Sequence, residues 1–254
     1  MDFFQALVLG LIQGLIEWLP LSSQGQVMAV SMSFFSISAE EALRTAVFLH
    51  IGTFFAALYY FRKEAMQIVK FKEIALGKFL LIALICTAIT GIPCYLFLKT
   101  VLKEFNPSIV LLLIAVLLFA MGLIQWKKKS IKKTSLNTKN AVFLGLGQGF
   151  AVLPGISRSG ITASTLLFEG FSPEEAFRLS FLLSIPSVFL ADVVFGAMEG
   201  FSFSPESVFA LAVAAIAGFI SISALLKIAK KINFSVFCFF FAAIYTVLAL
   251  LWIL

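Results

Sequence analysis

The hydropathy pattern of the chain is a succession of long apolar runs separated by short charged ones. Six runs are long enough to cross a bilayer, which takes about 20 helical residues. They lie at 43–61, 78–98, 108–126, 175–198, 206–226 and 234–254. Two further apolar runs, 3–33 and 141–168, are interrupted at their centres by proline, glycine, serine and a charge. Open backbone at membrane depth is tolerated only where protein or a water-filled cavity surrounds it. The pattern therefore predicts that these two runs are re-entrant helix–turn–helix hairpins, each entering and leaving on one side.

The two interrupted runs are also related to each other. At a constant offset of 134, Leu19 falls on Leu153, Pro20 on Pro154, Ser23 on Ser157 and Ala29 on Ala163. The same offset carries Ser38 to Ser172, Glu40-Glu41-Ala42 to Glu174-Glu175-Ala176, Arg44 to Arg178, and Phe55 and Phe61 to Phe189 and Phe195. A single gapless offset over about 40 residues is an internal repeat. The expected organisation is a first repeat at 1–126, a basic loop at 127–140 and a second repeat at 141–254. Each repeat has one hairpin and three spans. Three is odd, so the second repeat must be inverted, a plan that places broken helices near the midplane. The expected fold is an all-α integral membrane protein of six transmembrane helices and two re-entrant hairpins.

Composition sharpens this picture. The chain is 61% hydrophobic and 13% charged, whereas a soluble domain is nearer half apolar and one quarter charged. The first 25 residues lack a basic stretch and a small-residue cleavage site, so no removable signal peptide is expected. Cys86, Cys94 and Cys238 fall in or near apolar runs without metal-ligand spacing and read as small buried hydrophobes. A net charge of +6 raises nucleic acid as a partner, but the basic residues lie between spans, where orientation and anionic headgroups account for them. Nucleic acid is not expected. Lys and Arg concentrate on one side: Arg62 to Lys78, the run 127–139, Arg178, Lys227, Lys230 and Lys231 against only Arg44, Lys99 and Lys103. The rich side reads as cytoplasmic. Both termini then face outward, and the first hairpin dips in from outside while the second rises from the cytoplasm.

Polar residues in such a setting carry the chemistry. Arg158 sits in Val152-Leu153-Pro154-Gly155-Ile156-Ser157-Arg158-Ser159-Gly160-Ile161-Thr162. An arginine in hydrocarbon costs roughly 3 kcal/mol on insertion scales, so it needs a partner or a ligand. Ser157, Ser159 and Thr162 supply hydroxyls, Gly160 permits close approach, and a helix opening here offers free N–H groups. With a guanidinium fork added, a phosphate is the natural guest. The plainer reading pairs Arg158 with a structural carboxylate. In the first hairpin, Gln13 and Glu17 are spaced i, i+4 and share a helix face. Glu17 is the only acid between Asp2 and Glu40. It reads either as a metal ligand or general base beside a phosphate, or as the ion-pair partner of Arg158. Ser22, Ser23, Gln24 and Gln26 surround the break that follows.

His50, the only histidine, reads as a packed span residue or as a proton relay to the site. Asp192 has the same two readings, a polar contact within a span or a site residue. Glu40, Glu41, Glu174 and Glu175 read as acids complementing helix N-termini.

The two hairpin motifs together resemble the undecaprenyl-diphosphatase family, also called bacitracin-resistance proteins. The resemblance rests on Gln13-x-x-x-Glu17, Pro20-x-Ser22-Ser23-x-Gly25, and Pro154-Gly155-x-Ser157-Arg158-Ser159-Gly160 with Thr162. It extends to Leu49-His50-Ile51-Gly52-Thr53 and to Phe181-Leu182-Leu183-Ser184-Ile185-Pro186. It implies hydrolysis of a long polyprenyl diphosphate to its monophosphate at an outward-facing site of the plasma membrane. The lipid carrier is thereby recycled for cell-envelope glycan synthesis, which confers bacitracin resistance. It also implies a divalent cation, Mg²⁺ or Ca²⁺, which would bridge Glu17 and phosphate oxygens. By this resemblance Glu17, Ser23 and Arg158 are the expected catalytic residues. Ser22, Gln26, Ser157, Ser159, Gly160 and Thr162 are expected to bind phosphate, with Gln13 and His50 in support. One position departs: Gln26 stands where the family has histidine. Glutamine donates a hydrogen bond but does not shuttle protons near neutral pH. That departure favours an activated water over Ser23 as nucleophile. Lipid substrate and bilayer are the expected partners, with homodimerisation left open. The rival reading is a polyprenyl-phosphate transporter that binds without hydrolysis.

Overall fold

The structure is a computed structural model and describes residues 1–104, 106–126, 135–201, 203–228 and 234–252. Most of the basic loop, including its lysine run, and Lys230 and Lys231 fall outside these residues. Regular structure among the described residues is entirely helical.

Six helices are long and apolar enough to cross a membrane: α3 (Ala39–Tyr60), α5 (Ile74–Glu104), α6 (Pro107–Trp126), α9 (Pro173–Glu199), α10 (Pro205–Ile228) and α11 (Phe234–Leu251). They match the six expected runs, and α3 and α9 begin four and two residues earlier than hydropathy alone suggests. The reason is capping. Ser38 accepts the Glu41 N–H ahead of α3, and Ser172 accepts the Glu175 N–H ahead of α9. Each serine satisfies an orphan donor, and the helix starts before the apolar residues do. Glu40-Glu41 and Glu174-Glu175 occupy the first turns, as expected. An eight-residue helix, α4 (Arg62–Val69), follows α3 in a segment whose charges read as a loop.

The two interrupted runs each form helix–break–helix. The first is α1 (Phe3–Ile16) and α2 (Ser23–Phe35); the second is α7 (Thr138–Gly149) and α8 (Arg158–Phe168), with a single 3-10 turn at Phe150–Val152 between them. At about 1.5 Å per residue the longest of these arms reaches about 21 Å, short of a hydrocarbon core of roughly 30 Å.

Packing of the hairpin helices across the halves is reciprocal, whereas α3 also lies along α10 and its counterpart α9 touches α5 only slightly. Helix α1 lies against α10 and α7 against α5, while α3 pairs with α9 and α6 with α11. Small residues permit the first two contacts. A Cβ on Gly14 would stand 2.6 Å from the Ala214 carbonyl oxygen, and one on Gly145 only 2.1 Å from that of Ala83. The backbones therefore touch at both places. Ring contacts Phe61–Phe181 and Phe54–Phe189 set α3 and α9 antiparallel. In that register His50 comes opposite Asp192.

Candidate active site

Glu17 ends α1. Its backbone N–H still donates to the Gln13 carbonyl, so both side chains share a face, and Gln13 Nε2 donates to Glu17 Oε2 at 2.8 Å. Pro20 then stops the helix and the chain turns back. Ser22 takes the left-handed conformation at φ 58° and caps α2. Its Oγ accepts the N–H of Gly25 at 3.3 Å and that of Gly155, on the other hairpin, at 2.9 Å. The turn brings Ser23, first residue of α2, back to the acid: Ser23 Oγ donates to Glu17 Oε2 at 2.5 Å.

The second hairpin approaches from the other half. Gly155 has φ 107°, a conformation suited to glycine, and a Cβ there would strike Ile114. Ser157 caps α8 by accepting the Gly160 N–H at 3.1 Å. Ser157 Oγ and Ser159 Oγ both donate to the Leu19 carbonyl, at 3.3 and 2.9 Å, which ties the two breaks together. Gly160 packs closely on the neighbouring elements: a Cβ there would stand 2.9 Å from the Met121 methyl and 3.0 Å from Pro20. Thr162 Oγ1 donates to the Arg158 carbonyl at 2.6 Å and lies 2.6 Å from Ser180 Oγ of α9.

Arg158, first residue of α8, closes the arrangement. Its Nη2 donates to Glu17 Oε1 at 2.6 Å, and its Nη1 to the Ser180 carbonyl at 3.4 Å. Its Cζ lies 5.7 Å from the centre of the Trp18 ring. Its Nε is buried and has no hydrogen-bond partner among the described residues. Acid and base come from opposite halves, 141 residues apart in the chain. Both side chains are largely out of solvent, 5% exposed for Glu17 and 13% for Arg158. Deleting one member of a buried pair strands the other charge at about 3–5 kcal/mol.

His50 joins this cluster, its Nε2 3.5 Å from Glu17 Oε2. Thr53, one turn on, donates to the His50 carbonyl at 3.0 Å and accepts from Gln13 at 3.4 Å. Asp192 is buried on α9, at the position that comes opposite His50. Gln26 is directed elsewhere: its Nε2 donates to the Leu21 carbonyl at 3.2 Å, and its Oε1 accepts from the Tyr245 hydroxyl of α11. The structure thus gathers Gln13, Glu17, Ser23, His50 and Arg158 at one point. Ser22, Ser157, Ser159 and Gly160 hold the hairpin tips beside it, Thr162 joins α8 to α9, and Gln26 is tied to α11. Trp18 and Ser180 also touch the arginine. Nothing in the polar spacing marks them, although the indole next to Glu17 is the one aromatic between that acid and Pro20. Cys86 and Cys238 are buried, Cys94 is half-buried, and all three thiols are free.

The oxygens of Gln13, Glu17 and Ser23 are the donor type that Mg²⁺ or Ca²⁺ takes, and Gln13 Oε1 is buried with no hydrogen-bond partner. No cluster of three His, Cys, Asp or Glu suited to a metal occurs among the described residues. Such an ion would need oxygens from its substrate.

Comparison with known proteins places this arrangement. The family model described as "Bacitracin resistance protein BacA" matches residues 6–247. A protein of Methanococcoides burtonii named undecaprenyl-diphosphatase is 36% identical over 249 residues, covering 92% of this chain and 93% of its own length. One of Methanothrix thermoacetophila with the same name is 37% identical over 243 residues, covering 94% of this chain and 93% of its own. A third, from Haloarcula marismortui, is 36% identical over 257 residues and covers 94% of each chain. With the match running through both hairpins and all six long helices, the chain belongs to the bacitracin resistance protein BacA family.

Proposed function

We propose that this chain is a membrane phosphatase that hydrolyses undecaprenyl diphosphate, or a close long-chain polyprenyl relative, to the monophosphate and inorganic phosphate. Membership of the family and the name shared by its relatives support the activity. The observation that carries the chemistry is a serine hydroxyl donating to a buried carboxylate that is itself paired with a buried arginine. This is what a phosphoryl-transfer site needs: a nucleophile, a base and a fixed positive charge.

The terminal phosphate displaces Glu17 from the Arg158 fork. Ser23 Oγ attacks the terminal phosphorus as its proton passes to Glu17 Oε2. The bond from phosphorus to the bridging oxygen breaks, and the lipid monophosphate leaves. Water then cleaves the phosphoserine to give inorganic phosphate. The 2.5 Å contact favours Ser23 over water as nucleophile, against the expectation drawn from the missing histidine. A divalent cation would be held by Glu17 and Gln13 with phosphate oxygens. Bound there, it would neutralise phosphate charge and act as a Lewis acid.

The hairpins are re-entrant and the halves inverted, residues 1–126 and 141–254 forming the two repeats around the loop 127–140. Two features support this. The arms are too short to cross alone, and the packing of α1 on α10 mirrors that of α7 on α5. Contacts between the hairpins also run in both directions. At the offset of 134 Gln24 takes the place of Arg158, and it also reaches across, to the Val152 carbonyl at 3.3 Å. The protein sits in the plasma membrane with both termini outside, and the site opens outward.

Phosphate release from a polyprenyl diphosphate by the purified protein, with Mg²⁺ or Ca²⁺ and with EDTA, is the test. Arg158→Ala and Glu17→Ala should each lower metal-dependent release by at least about 10²-fold. Lipid binding by the wild type without any phosphate release would overturn the reading and leave a carrier.

A further inference from the structure

Arg158 is held in an unusual way for an arginine with a carboxylate beside it. Its Nε and Nη2 share one edge of the guanidinium, the edge that grips an oxyanion through two parallel hydrogen bonds. Glu17 Oε1 takes Nη2 alone, and Nε stays buried without an acceptor. The edge is half filled. A tetrahedral phosphate offers oxygens for both donors, whereas Glu17 can be exchanged for it.

Once Glu17 is exchanged, something else must keep the guanidinium in place. Two groups can do so without competing for that edge. The Ser180 carbonyl accepts from Nη1 on the far side, at 3.4 Å. The Arg158 guanidinium lies over the Trp18 indole, with Cζ 5.7 Å from its centroid, inside cation–π range. We infer that Trp18 is a positioning residue for the phosphate-binding arginine, its indole face and the Ser180 carbonyl forming a fixed berth that aims the Nε–Nη2 edge at the terminal phosphate. This inference rests on the phosphatase reading given above.

The indole is itself pinned from two elements. Trp18 Nε1 donates to the Gly218 carbonyl of α10 at 2.9 Å. Its ring meets Phe181 of α9 edge-on, with centroids 5.2 Å apart. Phe181 follows Ser180, so both walls of the berth are set by one turn of α9. Gly14 lets α1 lie so close to α10 that a Cβ there would stand 2.8 Å from Gly218 N, which leaves the end of α1, from which the turn with Trp18 follows, no room to move inward. Trp18 is 1% exposed.

A tryptophan that merely fills space would not respond to ligand at the arginine. The sequence has three tryptophans, and Trp126 and Trp252 are exposed. In a Trp126→Phe/Trp252→Phe protein, Trp18 is the sole emitter. Inorganic pyrophosphate should shift its fluorescence saturably, and the shift should vanish with Arg158→Ala. In turnover, Trp18→Leu should lower kcat/KM about tenfold relative to Trp18→Phe, which keeps an aromatic face. If Trp18→Leu does not fold, the emission measurement decides. Pyrophosphate that inhibits hydrolysis yet leaves Trp18 emission unchanged overturns the berth, as does equal kcat/KM in the Leu and Phe variants. An Arg158-dependent shift without lipid hydrolysis supports the berth and sinks the phosphatase reading. Hydrolysis without the shift does the reverse.

Discussion

Ser22 and Ser23 are neighbours with opposite duties. Ser22 Oγ accepts two backbone N–H groups, one from each hairpin, and so latches the two tips. Ser23 Oγ donates to Glu17. Ser22→Ala should therefore cost about 1–2 kcal/mol of stability, since it removes a helix cap and strands the Gly155 N–H. Ser23→Ala should leave the melting temperature nearly unchanged and remove turnover. A thermal melt in detergent beside a phosphate-release assay separates them, and equal behaviour of the two variants would refute the division. Gln26 belongs with Ser22. Tyr245→Phe leaves its buried Oε1 without the hydroxyl donor and should lower the melting temperature more than it lowers kcat. Much of this cluster is legible in the sequence. The i, i+4 spacing of Gln13 and Glu17 puts both on one face, and a lone arginine in an apolar run demands an anion. Ser180, Trp18 and Tyr245 are not legible. Ser180 and Tyr245 meet their partners through packing of α9 and α11, and Trp18 meets the arginine only where the second hairpin packs on the first, so a hydroxyl or an indole in an apolar run looks the same whether or not a partner faces it.

At the scale of elements, the apolar runs fix where helices lie but not where they begin. Ser38 and Ser172 start α3 and α9 ahead of the hydrophobic residues because a cap follows hydrogen bonding, not hydropathy. Helix α4 escapes the hydropathy pattern because its first turn, Arg62-Lys63-Glu64, is charged. The interruptions, by contrast, mark the hairpin breaks directly, since Pro20 and the Pro154-Gly155 pair cannot continue a helix. What no pattern reveals is which helix each hairpin leans on. That choice is made by Gly14 against α10 and Gly145 against α5. Gly145→Ala must push α7 off α5 or distort the Ala83 carbonyl, and a marked drop in melting temperature is expected. Gly218→Ala is the comparison. Its Cβ would meet Thr53 and Ala56 at 3.2 and 3.3 Å, side-chain contacts that a few tenths of an ångström relieve. Circular dichroism melts of the two variants should rank Gly145→Ala well below Gly218→Ala. The reverse order would mean that the α5–α7 contact is looser than its geometry.

For the whole molecule, the decisive question is which way the halves face. Arg178, at the start of α9, bonds to both Glu175 and Glu64, and Glu64 lies just beyond the end of α3. The end of α3 and the start of α9 therefore share a side, and Arg62, Lys63, Lys70 and Lys72 lie close by in sequence. If that basic side is cytoplasmic, α3 runs inward, α5 outward, α6 inward, α9 outward, α10 inward and α11 outward. The carboxyl end is then outside. The amino end joins it only if α1 and α2 together make no net crossing. A single crossing by the first hairpin would put the two ends on opposite sides, so their relative placement tests re-entrance directly. In a protein with Cys86, Cys94 and Cys238 replaced by alanine, a single cysteine added before Met1 or after Leu254 should react with an impermeant maleimide in intact cells. Ser135→Cys, exposed between α6 and α7, should react only after permeabilisation. Labelling of the carboxyl end but not the amino end from outside would show that α1 and α2 together cross the bilayer once. That result would overturn the proposed inverted plan, in which Glu17 and Arg158 approach each other from opposite sides of the bilayer.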